Sequence, residues 1–334
     1  MTLIRTRFPL ILLVLCMGWT PNASAQVIES VGTRAMGMGG AFVAVANDST
    51  ASWWNPAAQA AGPFFDLSLD TAVTERRSTP GDRHRPTWFT LATPPFGFSY
   101  YHFRITNIAV PSPTGAALLS REGLEAPASL QSLTVSQFGA TLVQSVAPGV
   151  HVGTTLKYLR GTLRQGIGSG TSPDDLLDQG AALGGGQSQG RFDLDIGAIA
   201  VAGPLRVGAT ARNLTEPEFG GARLLRRQYR LGLAYDAEPA FDVPLMIALD
   251  ADLRSYETGT GDRRVVAIGA ERWFAGQRVG VRAGLRFNTV GAKERAVTAG
   301  ASYAVRSGLF VEGDLVGGGA DDERGWGIGA RVSF

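Results

Sequence analysis

Residues 245–253 read LMIALDADL, and this short stretch decides the fold. Successive side chains of a β-strand point to opposite faces, so an alternation with a period of two predicts a strand. One face of this strand carries the apolar residues Leu245, Ile247, Leu249, Ala251 and Leu253. The other face carries Asp250 and Asp252, with Arg254 next in the same series. The pattern therefore predicts a strand with one apolar face and one charged face.

The same alternation recurs from residue 64 to the end of the chain and predicts 14 strands. These are 64–74, 87–93, 96–104, 132–146, 149–165, 191–201, 204–213, 224–236, 242–256, 263–274, 277–289, 295–305, 308–316 and 325–334. Short turns and long loops alternate between them, as in bacterial outer-membrane barrels with an even number of strands. We therefore expect an all-β fold: a transmembrane antiparallel β-barrel of about 14 strands over residues 63–334, in the outer membrane of a Gram-negative-type bacterium.

Nearly all the charge of the predicted strands falls on one of their two faces. Because a lipid-facing surface excludes charge, this face is expected to line a water-containing lumen, while the apolar face contacts outer-membrane lipid. The expected lumen charges are Asp193, Asp195, Arg206, Arg212, Asp250, Asp252, Arg254, Arg282, Arg286, Glu312 and Asp314.

The composition agrees with a barrel and excludes several other classes of protein. The 334 residues include 31 Lys+Arg against 29 Asp+Glu, so the chain lacks the basic excess of a nucleic-acid binder. Lys157 and Lys293 are the only lysines, so the basic side chains are almost all arginine. The 44 glycines disfavour a helix-rich fold, because glycine is costly inside helices.

The first 25 residues have the three parts of a secretory signal peptide. Arg5 and Arg7 precede an apolar run from Phe8 to Trp19, and Ala23-Ser24-Ala25 provides a cleavage site. We expect residues 1–25 to be removed, and with them the only cysteine, Cys16.

Residues 26–62 do not follow the strand pattern. Gly37, Gly39 and Gly40 predict a flexible turn, and Asn55-Pro56-Ala57 predicts a helix stop or turn. We expect this segment to be a hatch that plugs the barrel from the periplasmic end, held by Asn55 against the lumen charges. The alternative is an ordinary first strand and helix.

Two strings in this segment carry a family resemblance: GTRAMGMGGAFVAVAND at 32–48 and WWNPA at 53–57. With GATARNL (208–214), IGAERWF (268–274) and GIGARVSF (327–334), they resemble the FadL-like outer-membrane superfamily. This group includes the FadL/TodX transporters of hydrophobic compounds and the PorV/PorQ proteins, the branch that looks closest. The resemblance implies a 14-stranded barrel with an N-terminal hatch, in which Asn55, Pro56 and Ala57 match the family's hatch motif.

The resemblance implies passive transport of small hydrophobic compounds through a hatch-gated barrel, with a hydrophobic small molecule as ligand. The alternative is a PorV-like scaffold for a secretion or surface-attachment system, with a secretion partner. The loop 105–131 is apolar enough to capture such a ligand, whereas the loop 166–190, rich in Gly, Ser and Asp, is expected to be solvated.

No pattern in the chain predicts catalysis, a cofactor or a metal site. His84, His102 and His151 are far apart and show neither metal-ligand nor triad spacing. The pairs Asp193/Asp195 and Asp250/Asp252 resemble acid–base pairs, but residues two apart on a strand simply share a face. We therefore expect a protein that is not an enzyme.

The aromatic C-terminal residue, Phe334, ends an alternating strand. An aromatic last residue is a family-level feature of barrels inserted by the outer-membrane assembly machinery. We therefore expect Phe334 to be the assembly signal, with that machinery as a partner.

Overall fold

A closed barrel of 14 antiparallel strands is formed by the part of the chain that the structure, a computed structural model, describes. The described residues are 29–77, 81–109, 128–170, 172–223, 225–258, 261–319 and 322–334. The predicted signal peptide 1–25 and the first residues of the predicted hatch lie outside these residues.

The strands follow one another around the barrel in chain order, and β1 pairs with β16 to close it. In chain order the strands are β1 (Asp66–Arg76), β2 (Gly81–Thr93), β3 (Phe96–Ala109), β4 (Ala128–Ala147), β5 (Val150–Gly168), β6 (Ser188–Ala202), β7 (Leu205–Arg212), β8 (Gln228–Asp236), β9 (Leu245–Asp252), β10 (Tyr256–Thr258), β11 (Gly261–Arg263), β12 (Val265–Phe274), β13 (Val279–Asn288), β14 (Arg295–Arg306), β15 (Leu309–Gly318) and β16 (Arg324–Ser333). Strands β10 and β11 form a separate small hairpin, and the other 14 form the barrel.

The predicted fold class is confirmed, and each predicted strand overlaps one barrel strand. The predicted loop 105–131 is too long, because β3 continues to Ala109 and β4 begins at Ala128. The ends of β3 and β4 that border this loop pair directly with each other, as in Ile108↔Leu130. Residues 110–127, which contain most of the apolar side chains expected to capture a ligand, lie outside the described residues.

The two faces of the barrel wall differ as the alternation requires. In β9, Ile247 and Leu249 are exposed on the outside, whereas Asp250 and Asp252 are buried on the inside. The same holds around the barrel, where the outward side chains are exposed and apolar: Leu69, Phe98, Phe138, Leu156, Ile196, Val207, Leu231, Leu233, Ile268, Val281, Leu285, Val297, Val311, Leu315, Trp326 and Ile328. This surface is suited to hydrocarbon rather than water.

Substitution of Leu249 by arginine should test this assignment of faces. A charge on the lipid face near the bilayer midplane costs about 2–4 kcal/mol of folding free energy. We expect Leu249→Arg to lower the yield of heat-modifiable barrel on gels, and Leu231→Ala, also on the lipid face but uncharged, to lower it much less. Equal yields of the two variants would show that Leu249 does not face lipid.

Four short helices and one 3₁₀ helix accompany the strands in the described residues. Helices α1 (Thr33–Gly37) and α2 (Ala51–Trp54) and the 3₁₀ helix Pro56–Ala61 belong to the N-terminal segment. Helix α3 (Pro173–Ala182) lies between β5 and β6, and α4 (Glu238–Phe241) lies between β8 and β9. None of the described helices is long and apolar enough to cross a membrane.

The expectation that residues 166–190 form a solvated loop is wrong. Helix α3 begins in this segment, with Pro173 in its first turn and the Ser172 hydroxyl accepting a hydrogen bond from the Asp175 N–H. Its Leu176 and Leu177 are buried against the outward side chains Ile108 and Leu130. The helix therefore packs on the outer side of β3 and β4 at the end of the barrel that carries the long loops.

Candidate functional site

The N-terminal segment fills the inside of the barrel. Every residue from Glu29 to Gln59 except Asn47 is buried, although the segment contains little regular structure. We call residues 29–62 the hatch. It packs against the inward faces of strands on all sides, and its helix α1 contacts β13, β14, β15 and β16.

Glycines on the inward faces of the strands make room for the hatch backbone. A Cβ atom at Gly153 of β5 would lie 2.5 Å from the carbonyl carbon of Pro56. A Cβ atom at Gly208 of β7 would lie 2.6 Å from the Val43 carbonyl oxygen. Similar contacts with hatch backbone occur at Gly232, Gly269, Gly284 and Gly300, whereas Gly197 makes room for the side chains of Asn55 and Pro56. Only glycine allows backbone to approach this closely, so the high glycine content partly reflects a channel shaped for the hatch.

The three glycines singled out in the hatch have separate structural roles. Gly37 lies against β14, where its Cβ position is 3.0 Å from the Gly300 Cα atom. Gly39 and Gly40 have φ values of 71° and 82°. This left-handed conformation is one that glycine adopts without steric cost. The two residues let the chain turn away from α1 within the confined lumen.

Asn55 holds the hatch through main-chain carbonyls. Its side-chain Nδ2 donates to the Val43 carbonyl oxygen at 2.9 Å and to the Ala198 carbonyl oxygen of β6 at 3.0 Å. Its Oδ1 accepts from the Ala57 N–H, where Pro56 begins the 3₁₀ helix. The expectation that Asn55 binds lumen charges is wrong, because its side chain binds main-chain carbonyl and N–H groups instead.

Asp250 is a second anchor between the barrel and the hatch. One of its carboxylate oxygens accepts the main-chain N–H groups of Phe42 and Val43 at 2.8 and 2.9 Å. These donors have no strand or helix partner of their own, so the carboxylate satisfies them inside the barrel.

Arg34 connects the hatch to the barrel wall near the short-turn end. Its Nη2 lies 2.6 Å from Glu271 of β12, and Glu271 is also 2.5 Å from the Nε of Arg282 in β13. Burial alone would lower the pKa of the Arg34 guanidinium, but Glu271 and then Asp48 raise that pKa well above its ordinary value. Arg34 is therefore a buried, paired cation.

Glu29 connects the hatch to the opposite end of the barrel. Its carboxylate contacts Arg230 of β8 and lies 3.2 Å from Arg263, while Arg230 also binds Asp252 at 2.7 Å. Burial alone would raise the pKa of the Glu29 carboxyl, but Arg230 and Arg263 lower that pKa to about 2. The hatch is thus fixed by ion pairs at both ends and by Asn55 and Asp250 between them.

The remaining expected lumen charges lie on the inward face with one exception. Most of them form ion pairs: Asp193 and Asp195 with Lys157, Arg206 with Asp236, Arg286 with Glu323, and Glu312 with Arg331. The Arg212 guanidinium stacks on the ring of Trp53, and Asp314 is buried beside Gly327. The expectation for Arg254 is wrong. Strand β9 ends at Asp252, and Arg254 is exposed over the outward ring of Tyr229, 5.8 Å from its centroid.

Sequence reasoning missed four residues that connect the hatch and the wall, Glu29, Arg34, Arg230 and Glu271, and also Lys157, which pairs with Asp193 and Asp195 within the wall. Glu271 and Lys157 occupy inward positions of strands that the alternation had already predicted, so their place in the alternation could have identified them. Arg230 likewise lies at an inward position of a predicted strand, β8. Glu29 and Arg34 lie in the irregular hatch, where no periodicity marks the direction of a side chain.

An apolar strip runs through this charged interior. On the wall it includes Phe103, Ile105, Leu133, Val135, Leu159 and Leu163, all buried. It continues into the hatch side chains Phe42, Trp53 and Trp54. At the long-loop end, Phe219 and Leu225 of the loop between β7 and β8 fold inward and cover it. Phe219 lies directly over Gly161 of β5, where a Cβ atom would be 2.5 Å from its ring.

A cavity of about 780 Å³ opens below the hatch at the short-turn end. It is lined by Arg34, Arg278, Arg306 and Arg331, with Trp273 and Phe310. Nowhere among the described residues do three His, Cys, Asp or Glu side chains come together in an arrangement that could hold a metal ion.

A closed 14-stranded barrel, an exposed apolar outer face and a buried N-terminal hatch define an outer-membrane β-barrel of FadL-like fold. Solved structures with this fold include the toluene transporter TbuX of Ralstonia pickettii, the monoaromatic hydrocarbon channel CymD and a Pseudomonas aeruginosa FadL homologue. TbuX is 18% identical, with a TM-score of 0.62 over 92% of this chain and 99% of its own. CymD is 14% identical, with a TM-score of 0.64 over 93% and 99%. The FadL homologue is 11% identical, with a TM-score of 0.57 over 91% and 98%.

Residues 66–252 match the profile of the family described as "F plasmid transfer operon, TraF, protein". The match covers more than half of the chain, and the chain belongs to this family. No curated protein sequence matches this chain. The closer likeness to the PorV/PorQ branch stays a prediction.

Proposed function

We propose that this barrel admits small hydrophobic compounds across the outer membrane, with the hatch as its gate. The observation that carries the proposal is the apolar strip, which joins the loop cap at Phe219 to the hatch at Trp53 and Trp54. A lumen that served only water-soluble solutes would have no need of a continuous apolar side. The toluene and monoaromatic hydrocarbon transporters of the same fold favour a small aromatic hydrocarbon as substrate.

In this proposal the described structure is the closed state. Trp53 and Trp54 occupy the strip, and Asn55 and Asp250 fix the hatch backbone beside them. Opening requires the hatch to leave the inward glycines and its ion pairs. The arginine-lined cavity below Arg34 gives the displaced segment room on the periplasmic side.

A disulfide lock tests the gate. The hydroxyl oxygens of Ser49 in the hatch and Thr90 in β2 are 2.8 Å apart, so cysteines at both positions are close enough to oxidise to a disulfide. We expect the oxidised Ser49→Cys/Thr90→Cys variant to take up toluene at least about tenfold more slowly than its reduced form, a change of ~1.4 kcal/mol. The two single variants are the controls. Equal uptake by the oxidised and reduced double variant would exclude the hatch as a gate.

We further propose a scaffold role in a transfer or secretion apparatus as the second candidate function. The arginine-lined cavity at the short-turn end favours it, because such a surface suits an acidic periplasmic partner. The family description, which refers to a plasmid transfer operon, is consistent with it. Wild-type toluene uptake no faster than in cells without the protein, together with co-purification of a partner that Arg278→Glu/Arg306→Glu abolishes, would favour this role over transport.

A further inference from the structure

Arginines stand outside the barrel wall at its long-loop end. Arg85 and Arg160 are exposed on the outward faces of β2 and β5, and Arg104 is half-buried on that of β3. Arg295 and Arg324 are the first residues of β14 and β16, Arg264 immediately precedes β12, and Arg254 follows β9. We call these seven residues the arginine belt: Arg85, Arg104, Arg160, Arg254, Arg264, Arg295 and Arg324.

The belt lacks the carboxylate partners that the inward arginines have. Within the described ranges, Arg34, Arg230 and Arg282 each lie within ion-pair distance of an acid, but no belt arginine does. Four belt side chains instead donate to hydroxyl or carbonyl oxygens: Arg104, Arg160, Arg264 and Arg324, with Arg160 Nε 2.9 Å from Ser188 Oγ. Such partners leave the positive charge uncompensated.

Two belt arginines even face each other across neighbouring strands. Arg85 of β2 is the direct register partner of Arg104 of β3, and the next position in that row is Thr134 of β4. Like charges directly opposite one another destabilise a sheet. An anion bound from outside would remove this repulsion.

Aromatic side chains fix the depth of the belt in the membrane. Tyr158 precedes Arg160 by two residues on the same face and packs on Phe192 at 5.2 Å. Trp326 is exposed two residues from Arg324, again on the bilayer side. Aromatic girdles lie at the membrane–water interface of outer-membrane barrels, so the belt lies just beyond it, at the level of lipid headgroups.

The other end of the barrel has no such belt. Near the short turns, Arg272 of β12 is the one arginine at an outward position among the described residues. Arg278 and Arg306, also at this end, line the cavity instead. The outward positive charge is therefore concentrated at the end with long loops, which faces outside the cell in such barrels.

We propose that the arginine belt binds the phosphate groups of outer-leaflet lipid headgroups, with Arg85, Arg104 and Arg160 as its most concentrated site. Guanidinium groups recognise phosphate oxygens in a bidentate manner, and basic clusters at a membrane edge attract anionic headgroups. The near absence of lysine suits this role, because lysine binds phosphate only as a point charge. This inference is independent of whether the lumen transports a compound.

Lipid retention by the purified protein tests the proposal. The probe is bisphosphorylated lipid A in detergent micelles, measured by native mass spectrometry. We expect Arg85→Gln/Arg104→Gln/Arg160→Gln to bind it at least about tenfold more weakly than the parent, a loss of ~1.4 kcal/mol. The matched control is Arg272→Gln/Arg278→Gln, which removes two arginines at the opposite end and should retain lipid A as the parent does.

Three further measurements keep the result interpretable. Lipid A without phosphates should bind the parent and the triple variant equally. An excess of inorganic phosphate should not displace the intact lipid, since its acyl chains also contact the apolar outer face of the barrel. Heat-modifiable gel mobility must show a folded barrel; if the triple variant fails to fold, Arg254→Gln/Arg264→Gln outside the strands takes its place. Equal retention by belt variants and parent, or equal losses in belt and control variants, would overturn the proposal.

Discussion

Replacing Gly284 with valine is expected to push the hatch away from the barrel wall while leaving the barrel folded. Gly284 lies on the inward face of β13, and a Cβ atom there would be 2.6 Å from the Met38 carbonyl oxygen. Both sides of this contact are main chain, so neither can rotate away. Overpacking of this kind costs about 1–3 kcal/mol, which raises the population of a displaced hatch by roughly 5- to 150-fold. Limited proteolysis at Arg34, buried in the parent, measures that population.

Gly313→Val is the matched control for this prediction. Gly313 lies in β15 on the lipid side, and its Cβ position meets only the Gly327 carbonyl oxygen, at 3.5 Å. Valine also favours strands, so neither substitution should weaken the barrel itself. We expect Gly284→Val to accelerate cleavage and raise conductance in planar bilayers, and Gly313→Val to change neither. A hatch as protected in Gly284→Val as in the parent would contradict the close packing described here.

The barrel could be predicted from the sequence because its physical cause is periodic. Each strand separates lipid from lumen, so every second side chain must be apolar, as Ile247 and Leu249 show beside Asp250. Strand ends were predicted less well where tertiary contacts extend the sheet. Strands β3 and β4 extend beyond their predicted ends, where α3 covers Ile108 and Leu130, and this contact leaves no local signal.

The hatch contacts could not be predicted in the same way. Gly153 and Gly208 are inward positions at which the strand pattern permits any small residue, and only the path of residues 43–57 explains why they are glycine. Asn55 was predicted to hold the hatch, but its partners could not be predicted, since Ala198 lies in a strand 143 residues away. The prediction that Arg254 faces the lumen was wrong because β9 ends two residues earlier, at Asp252. Beyond the end of a strand, the alternation no longer fixes the direction of a side chain.

Neutralising Glu271 is expected to have the largest effect on stability of any single charge substitution at the hatch. Its two oxygens bind Arg34 of the hatch and Arg282 of the wall, at 2.6 and 2.5 Å, and all three side chains are buried. Glu271→Gln leaves two guanidinium groups without their shared anion. Removing one partner from a buried ion pair costs about 3–5 kcal/mol of unfolding free energy. Urea titrations of the detergent-solubilised barrel, followed by tryptophan fluorescence, to which the buried Trp53 and Trp54 contribute, measure that loss.

The control for this prediction uses an ion pair of similar geometry but different burial. Glu257 binds Arg226 at 2.6 Å, but its side chain is 66% exposed. Exposed pairs contribute about 0–1 kcal/mol, so Glu257→Gln should leave the urea midpoint nearly unchanged. Combining Glu271→Gln with Arg34→Met separates the hatch from the wall: because both substitutions break the same contact, their joint cost should be smaller than the sum of the two single costs. Additive costs would mean that Glu271 stabilises only the barrel wall and that the hatch is held by its other anchors.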